Sequence, residues 1–161
     1  MSKKLYFIIA AVLVGFYFSV SYTPSLNDAE LAANKQASMD YLETNKSQQG
    51  LQMTESGLQY KVLQPGTGTV HPKETDQVTV HYEGSLIDGS VFDSSIKRDK
   101  PFSFPLENAI KGWKEGLPLM VVGDKTRFYI PPNLAYGEQW AGDIPPNSTL
   151  IFDIELLAIN E

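Results

Sequence analysis

The sequence predicts an α+β fold: an antiparallel sheet wrapped on one short helix, behind an N-terminal apolar segment and a short helical linker. Three observations point there. From Gly57 onward, apolar and polar residues alternate in short runs, as half-buried strands require. Turn dipeptides such as Pro65-Gly66 and Asp88-Gly89 punctuate these runs. Only one stretch in this region, Ile110, Trp113 and Leu117, repeats at helical spacing. Many strands with one helix bury their apolar faces by packing the sheet on that helix.

The elements follow in chain order. Lys3 and Lys4 precede an uncharged apolar stretch from Leu5 to Tyr22. A short positive region followed by an apolar run has the shape of an export signal. Its length is also near the lower limit for a membrane-spanning helix. The lysines are expected to stay on the cytoplasmic side, sending the rest of the chain across. Residues 1–22 are therefore read as a signal peptide cleaved after Ser21 or as a retained signal anchor, with both alternatives open. Residues 23–55 are read as a helical linker. Asn27 or Asp28 can cap a helix reaching about Ser47, with Ala29, Ala33, Ala37 and Tyr41 on one thin face and Leu42 beside them. Such a face gives little packing, so the helix needs tertiary support. Gln48-Gln49-Gly50 is expected to end it.

Residues 56–161 hold the main domain. Leu58 to Leu63 is the first strand. Val78, Val80 and Tyr82 share a face, alternating with Thr79, His81 and Glu83. Asp88-Gly89 turns the chain into a short run ending at Phe92. Phe102 and Phe104 alternate again. The helix follows, with Asn108 as its expected N-cap and Gly116 near its end. Lys125 to Ile130 is a strand, a long loop runs from Pro131-Pro132 to Pro145-Pro146, and Leu150 to Ile159 is the last strand.

Composition excludes several classes of function. The 161 residues carry a net charge of −6 with charges mixed along the chain, which argues against nucleic acid as a partner. There is no cysteine, so disulfides, thiol nucleophiles and thiolate metal sites are ruled out. His71 and His81 are too few for a histidine metal site. His71 belongs to a turn, and His81 points away from Tyr82, as a structural or surface residue. No G-x-S-x-G, phosphate loop, H-E-x-x-H or dinucleotide fingerprint occurs. What remains is a concentration of aromatics: Tyr82, Phe92, Phe102, Phe104, Trp113, Tyr136 and Phe152. Each alone reads as core. Together they can instead line a concave apolar pocket with a few polar atoms. Periodicity does not choose between the two.

Several motifs then stand in one order. They are SGLQYKVLQPGTG from Ser56, VHYEG at Val80–Gly84, DGSVFDSS at Asp88–Ser95, KPFSF at Lys100–Phe104, IKGWKEGL at Ile110–Leu117, LAYGE at Leu134–Glu138 and IPPNSTLIFDIELL at Ile144–Leu157. In this order and spacing they resemble the FKBP-type peptidyl-prolyl cis-trans isomerases, of the exported bacterial type, from about residue 56 to the end. The resemblance implies an antiparallel half-barrel around one short helix, with a proline-binding cavity between them. It implies that Trp113 is the pocket floor, and that Tyr82, Phe92, Phe102 and Phe152 are walls. Asp93 matches the pocket aspartate, and Arg98 stands where a basic residue commonly pairs with it. Ala109 precedes Ile110, whose backbone N–H matches a donor to the ligand carbonyl. Tyr136 matches the loop tyrosine that reaches the ligand, and Ile144 the aliphatic residue over the pocket. Tyr82, Asp93, Trp113 and Tyr136 are the implied catalytic set.

The loop segment GEQWAGD departs from the family pattern. Trp140 is large and Asp143 is charged, and neither takes a role from the resemblance. Implied partners are proline-containing exported polypeptides and macrolides of the FK506 type. The expected location is the periplasm, with a membrane contact through residues 5–22 if the segment is retained. A weak homodimer is left open. No cofactor or metal is required, because amide rotation makes no bond. Its barrier, about 18–20 kcal/mol, comes from resonance in the planar forms. A dry aromatic pocket favours the less polar twisted amide. The alternatives are a membrane-tethered peptide-binding chaperone module with little turnover, an assembly factor acting through residues 27–47, and, more distantly, a hydrolase.

Overall fold

The computed structural model describes residues 26–160. The signal or anchor segment at residues 1–22 and the start of the linker at 23–25 lie outside the described residues. The first element, α1 (Asp28–Asn45), begins with a capping box. Asn27 Oδ1 accepts the Glu30 N–H at 3.0 Å, and Glu30 Oε2 accepts the Asn27 N–H at 2.9 Å. Two orphan donors of the first turn are thereby satisfied. The helix ends at Asn45, one turn short of the expected glycine stop. No helix among the described residues is long and apolar enough to cross a membrane.

Seven strands follow: β1 (Gln52–Met53), β2 (Gln59–Gln64), β3 (Gln77–Ser85), β4 (Val91–Ser94), β5 (Phe102–Pro105), β6 (Lys125–Ile130) and β7 (Leu150–Asn160). All described pairings are antiparallel, in the order β1-β2-β6-β7-β3-β4, with β5 also on β3. One edge of β3 lies along β7. Its other edge is shared, Gln77–Val80 against β5 and Glu83–Ser85 against β4. The chain between β4 and β5 must therefore loop out beside the middle of β3, where Tyr82 sits.

On β3 and most of β7 the expected alternation holds; β2 is exposed over its second half instead. Val78, Val80 and Tyr82 are fully buried, and so are Leu150, Phe152, Ile154 and Leu156 on β7. Hairpin β3–β4 turns at Gly89, whose φ of +86° belongs to the left-handed region that glycine reaches without strain.

The second helix, α2 (Lys111–Gly116), is held against the buried face of the sheet. A Cβ on Gly116 would lie 2.6 Å from the Phe128 ring, and one on Gly112 2.5 Å from Ile130, so glycine lets the helix approach β6. Two local expectations need correction. Asn108 is not the N-cap: it closes a 3-10 turn, and Ile110 stands at the cap without a side-chain bond. The alanine face of α1 is not the docked one either, since Ala29, Ala33 and Ala37 are exposed. Ser38 and Asn45 are the buried residues of α1, with Leu31, Asn34, Tyr41 and Leu42 half-buried beside them. Asn34, Ser38 and Asn45 supply the hydrogen bonds of this face and Tyr41 packs on Tyr129, but between Leu31 and Tyr41 the docked face is polar, so no hydrophobic period is legible.

Candidate functional site

At the centre of β3, the Tyr82 ring meets rings from three other elements. Its ring centroid lies 5.3 Å from Trp113 of α2, edge-on, 6.0 Å from Phe102 of β5 and 6.2 Å from Phe152 of β7. Trp113 and Phe152 are 5.2 Å apart, and Phe92 of β4 is 5.5 Å from Phe152, both edge-to-face. Phe104 touches Trp113 at 5.4 Å and stacks on Phe102 at 4.9 Å. Edge-to-face contacts set the positive ring edge against a negative face, adding about 0.5–1.5 kcal/mol per pair beyond burial. The rings are thus fixed in orientation as well as sequestered. Trp113 is buried, and its indole N–H has no hydrogen-bond partner among the described residues.

A polar group faces these rings. The Tyr82 hydroxyl donates to Asp93 Oδ2 and accepts from Arg98 Nη2 at 2.9 Å. Arg98 Nη1 donates to Asp93 Oδ1, and the guanidinium carbon lies 5.7 Å from the Tyr82 ring centroid. The Asp93 side chain is only 1% exposed, and Arg98 is its compensating charge. Burial pushes the Tyr82 phenol far above its ordinary range, and the neighbouring Asp93 carboxylate adds to the shift. Burial alone would lower the Arg98 guanidinium, but its bonds to Asp93 and Tyr82 outweigh that and raise it. Both shifts keep the Tyr82 and Arg98 protons in place near neutral pH.

Backbone support for Tyr82 comes from Ser95, which sequence reasoning missed. Its fully buried hydroxyl accepts the Tyr82 N–H at 2.8 Å and lies 2.9 Å from His81 Nδ1. The Ser95 N–H donates to the Tyr82 carbonyl at 2.9 Å. The repeated serine of DGSVFDSS was its only sequence signal. His81, half-buried, is therefore part of the wall's support.

The remaining predicted residues line up around the rings. Ala109 and Ile110 are buried at the entry to α2, where the Ile110 carbonyl accepts the Trp113 N–H at 3.0 Å. Ile144 is buried in the same cluster, and Tyr136 is half-buried against it. Ala141 and Ile144 exchange two backbone bonds of 3.0 Å, pinching the loop. Trp140 is half-exposed and Asp143 exposed, so neither belongs to the buried cluster. Among the described residues, no three histidines or carboxylates are grouped to hold a metal ion.

Gly84 gives a sharp test of how closely the wall is packed. A Cβ there would sit 2.6 Å from both the Phe92 and Phe152 rings. Gly84→Ala should therefore lower stability by about 1–3 kcal/mol through overpacking. Urea unfolding checks this; an unchanged midpoint would show that the two rings move aside freely.

Comparison with known proteins places the chain among similar ones. A family model described as FKBP-type peptidyl-prolyl cis-trans isomerase matches residues 68–157. A second, the domain amino terminal to that isomerase, matches residues 21–62. The chain is 54% identical over 120 residues to the FKBP-type 22 kDa peptidyl-prolyl cis-trans isomerase of Escherichia coli, covering 74% of this chain and 58% of that protein. It is 50% identical over 139 residues to the FKBP-type peptidyl-prolyl cis-trans isomerase FkpA of Aeromonas hydrophila, covering 86% and 52%. The chain spans about half the length of the curated relatives it matches. Among solved structures, FkpA from Escherichia coli superposes with a TM-score of 0.77 at 44% identity, covering 83% of this chain and 62% of that one. A peptidyl-prolyl cis-trans isomerase from Pseudomonas syringae gives 0.76 at 35% identity, covering 87% of this chain and all of its own.

Proposed function

The chain belongs to the FKBP-type peptidyl-prolyl cis-trans isomerases, and from that premise we propose that it accelerates rotation about X–Pro bonds in exported polypeptides. The observation that carries this reading is the ring cluster of Tyr82, Phe102, Trp113 and Phe152 with one buried ion pair at its edge. A pyrrolidine ring seated on Trp113 is held by shape while the acyl side turns. The twisted amide has lost resonance and carbonyl polarity, so a dry aromatic surround stabilises it relative to the planar forms in water. Tyr82, Asp93 and Tyr136 act as oriented dipoles, Ile110 supplies its backbone N–H to the substrate carbonyl, and Phe92, Ala109 and Ile144 complete the walls. A rate gain of a thousand to a million needs only about 4–8 kcal/mol, within reach of positioning and a few hydrogen bonds.

In this reading residues 56–161 form the isomerase domain and 23–55 the linker. Residues 1–22 direct export to the periplasm and either remain as an anchor or are removed; Lys3, Lys4 and the apolar run that follows support that part.

The test is isomerisation of a short X–Pro peptide, beside a variant with Tyr82, Asp93 and Trp113 replaced, with and without FK506. Acceleration that the variant loses and the macrolide blocks is the expected result. A folded wild-type chain without acceleration would leave a peptide-binding module instead. The rate should also stay flat from about pH 6 to 9, because Tyr82 keeps its proton there and no general acid or base is used. A bell-shaped profile in that range would overturn the dipole mechanism. Stability has a different pH limit. The raised Tyr82 phenol contributes stability below the unfolded value of about 10, and that contribution fades as pH rises beyond it.

A further inference from the structure

Helix α1 is tied to the loop that carries Ile144 over the pocket, and the tie is polar. Ser38 is 1% exposed. Its hydroxyl donates to the Asn147 carbonyl at 2.6 Å and accepts the Thr149 N–H at 2.9 Å, bridging the backbone on either side of Ser148. One turn earlier, Asn34 Nδ2 donates to the Pro146 carbonyl and lies 3.3 Å from Ser148 Oγ. Asn147 has a φ of +61°, an uncommon conformation for a residue with a Cβ, and its N–H donates to the Gly137 carbonyl at 2.7 Å. The clamp therefore grips the point where the two ends of the loop, 137 and 147, are joined.

The chain between that point and Ile144 is stiff. Only Pro145 and Pro146 intervene, each with its φ locked near −65°. A shift of Asn147 is passed to Ile144 rather than absorbed on the way. The bonds are also directional. They form only while Ser38 and Asn34 face the loop, so they fix the rotation and axial position of α1 against it.

Resting on the isomerase reading, we propose that Ser38 and Asn34 are positioning residues: α1 holds the pocket-covering loop in its substrate-binding position, so substrate capture depends on helix docking. Neither side chain touches substrate; both act through Ile144.

The experiment uses the full chain with Ser38→Ala and, as a second disruption, Asn34→Asp, which is isosteric but faces two acceptors with a carboxylate. Ala33→Gln on the exposed face of α1 is the control. Two readouts are taken, amide hydrogen exchange and KM against kcat on an X–Pro peptide. Losing partners for two backbone groups should speed exchange of the Thr149, Asn147 and Ile144 amides by about 5- to 30-fold. KM should rise about fivefold or more with kcat within about twofold, the pattern of lost binding common to ground and transition states. Both variants should behave alike and the control like wild type. Faster exchange at Thr149 alone, with Ile144 exchange and KM unchanged, would overturn the proposal, as would uniform acceleration across the sheet in both variants. If the wild-type chain fails to isomerise the peptide, the functional reading falls, and exchange at Ile144 still decides whether α1 positions the loop.

Discussion

Replacing Trp113 by alanine should lower the unfolding free energy by about 3–5 kcal/mol, the usual cost of emptying a buried aromatic site. Trp113 is 1% exposed and meets Tyr82, Phe104 and Phe152 through its ring. Those neighbours belong to three strands of one sheet, so little collapse into the gap is available. Urea unfolding followed by tyrosine fluorescence checks the stability loss. A loss this large would also remove activity by unfolding, so the informative companion is Trp113→Phe. It leaves a smaller void and a ring to pack on. Most of the stability should be kept while kcat/KM on an X–Pro peptide falls about tenfold or more, about 1.4 kcal/mol of transition-state stabilisation. Wild-type turnover in a folded Trp113→Phe protein would show that the indole is core and not the floor of a working pocket.

The second large effect concerns charge. Arg98→Ala should destabilise the fold by about 3 kcal/mol, because removing one partner leaves the Asp93 carboxylate buried without compensation. The side chains are 1% exposed for Asp93 and 24% for Arg98, far from the solvent-screened pairs that contribute about 0–1 kcal/mol. The value belongs at the lower end of the buried range because Tyr82 still donates to Asp93. Asp93→Asn keeps the shape and an acceptor for the tyrosine while removing the charge. Combined with Arg98→Ala, it should be less destabilising than the two separate losses added together, by about 1–3 kcal/mol. Purely additive losses in the double-mutant cycle would mean that the pair is not coupled.

These two residues mark different degrees of legibility. Trp113 sits at helical spacing with Ile110 and Leu117, so its burial could be read from the pattern. Whether it also floors a pocket could not, because a residue on a core face and one lining a pocket share the same period. The motifs supplied that distinction by resemblance. Arg98 belongs to no periodic element. It reaches Asp93 and Tyr82 because β4 and β5 share one edge of β3, and the chain between them loops out beside Tyr82.

Alternation could be read directly for β3 and β7, since burial on one face imposes a period of two, whereas β1, two exposed residues within the stretch read as linker, carries no such signal. A cap at Asn27 or Asp28 and the turn at Gly89 were legible too, because they depend on residues close in the chain; the choice of Asn27 and its return bond from Glu30 came with the structure. The face of α1 that is docked, the hold of Ser95 on the backbone of Tyr82, and the grip of Ser38 and Asn34 on the end of the loop at residues 146–149 came only with the folded chain. Each rests on a hydrogen bond between residues 13 to 112 positions apart. Such bonds form wherever the fold brings a donor to an acceptor, and they leave no repeat in the chain.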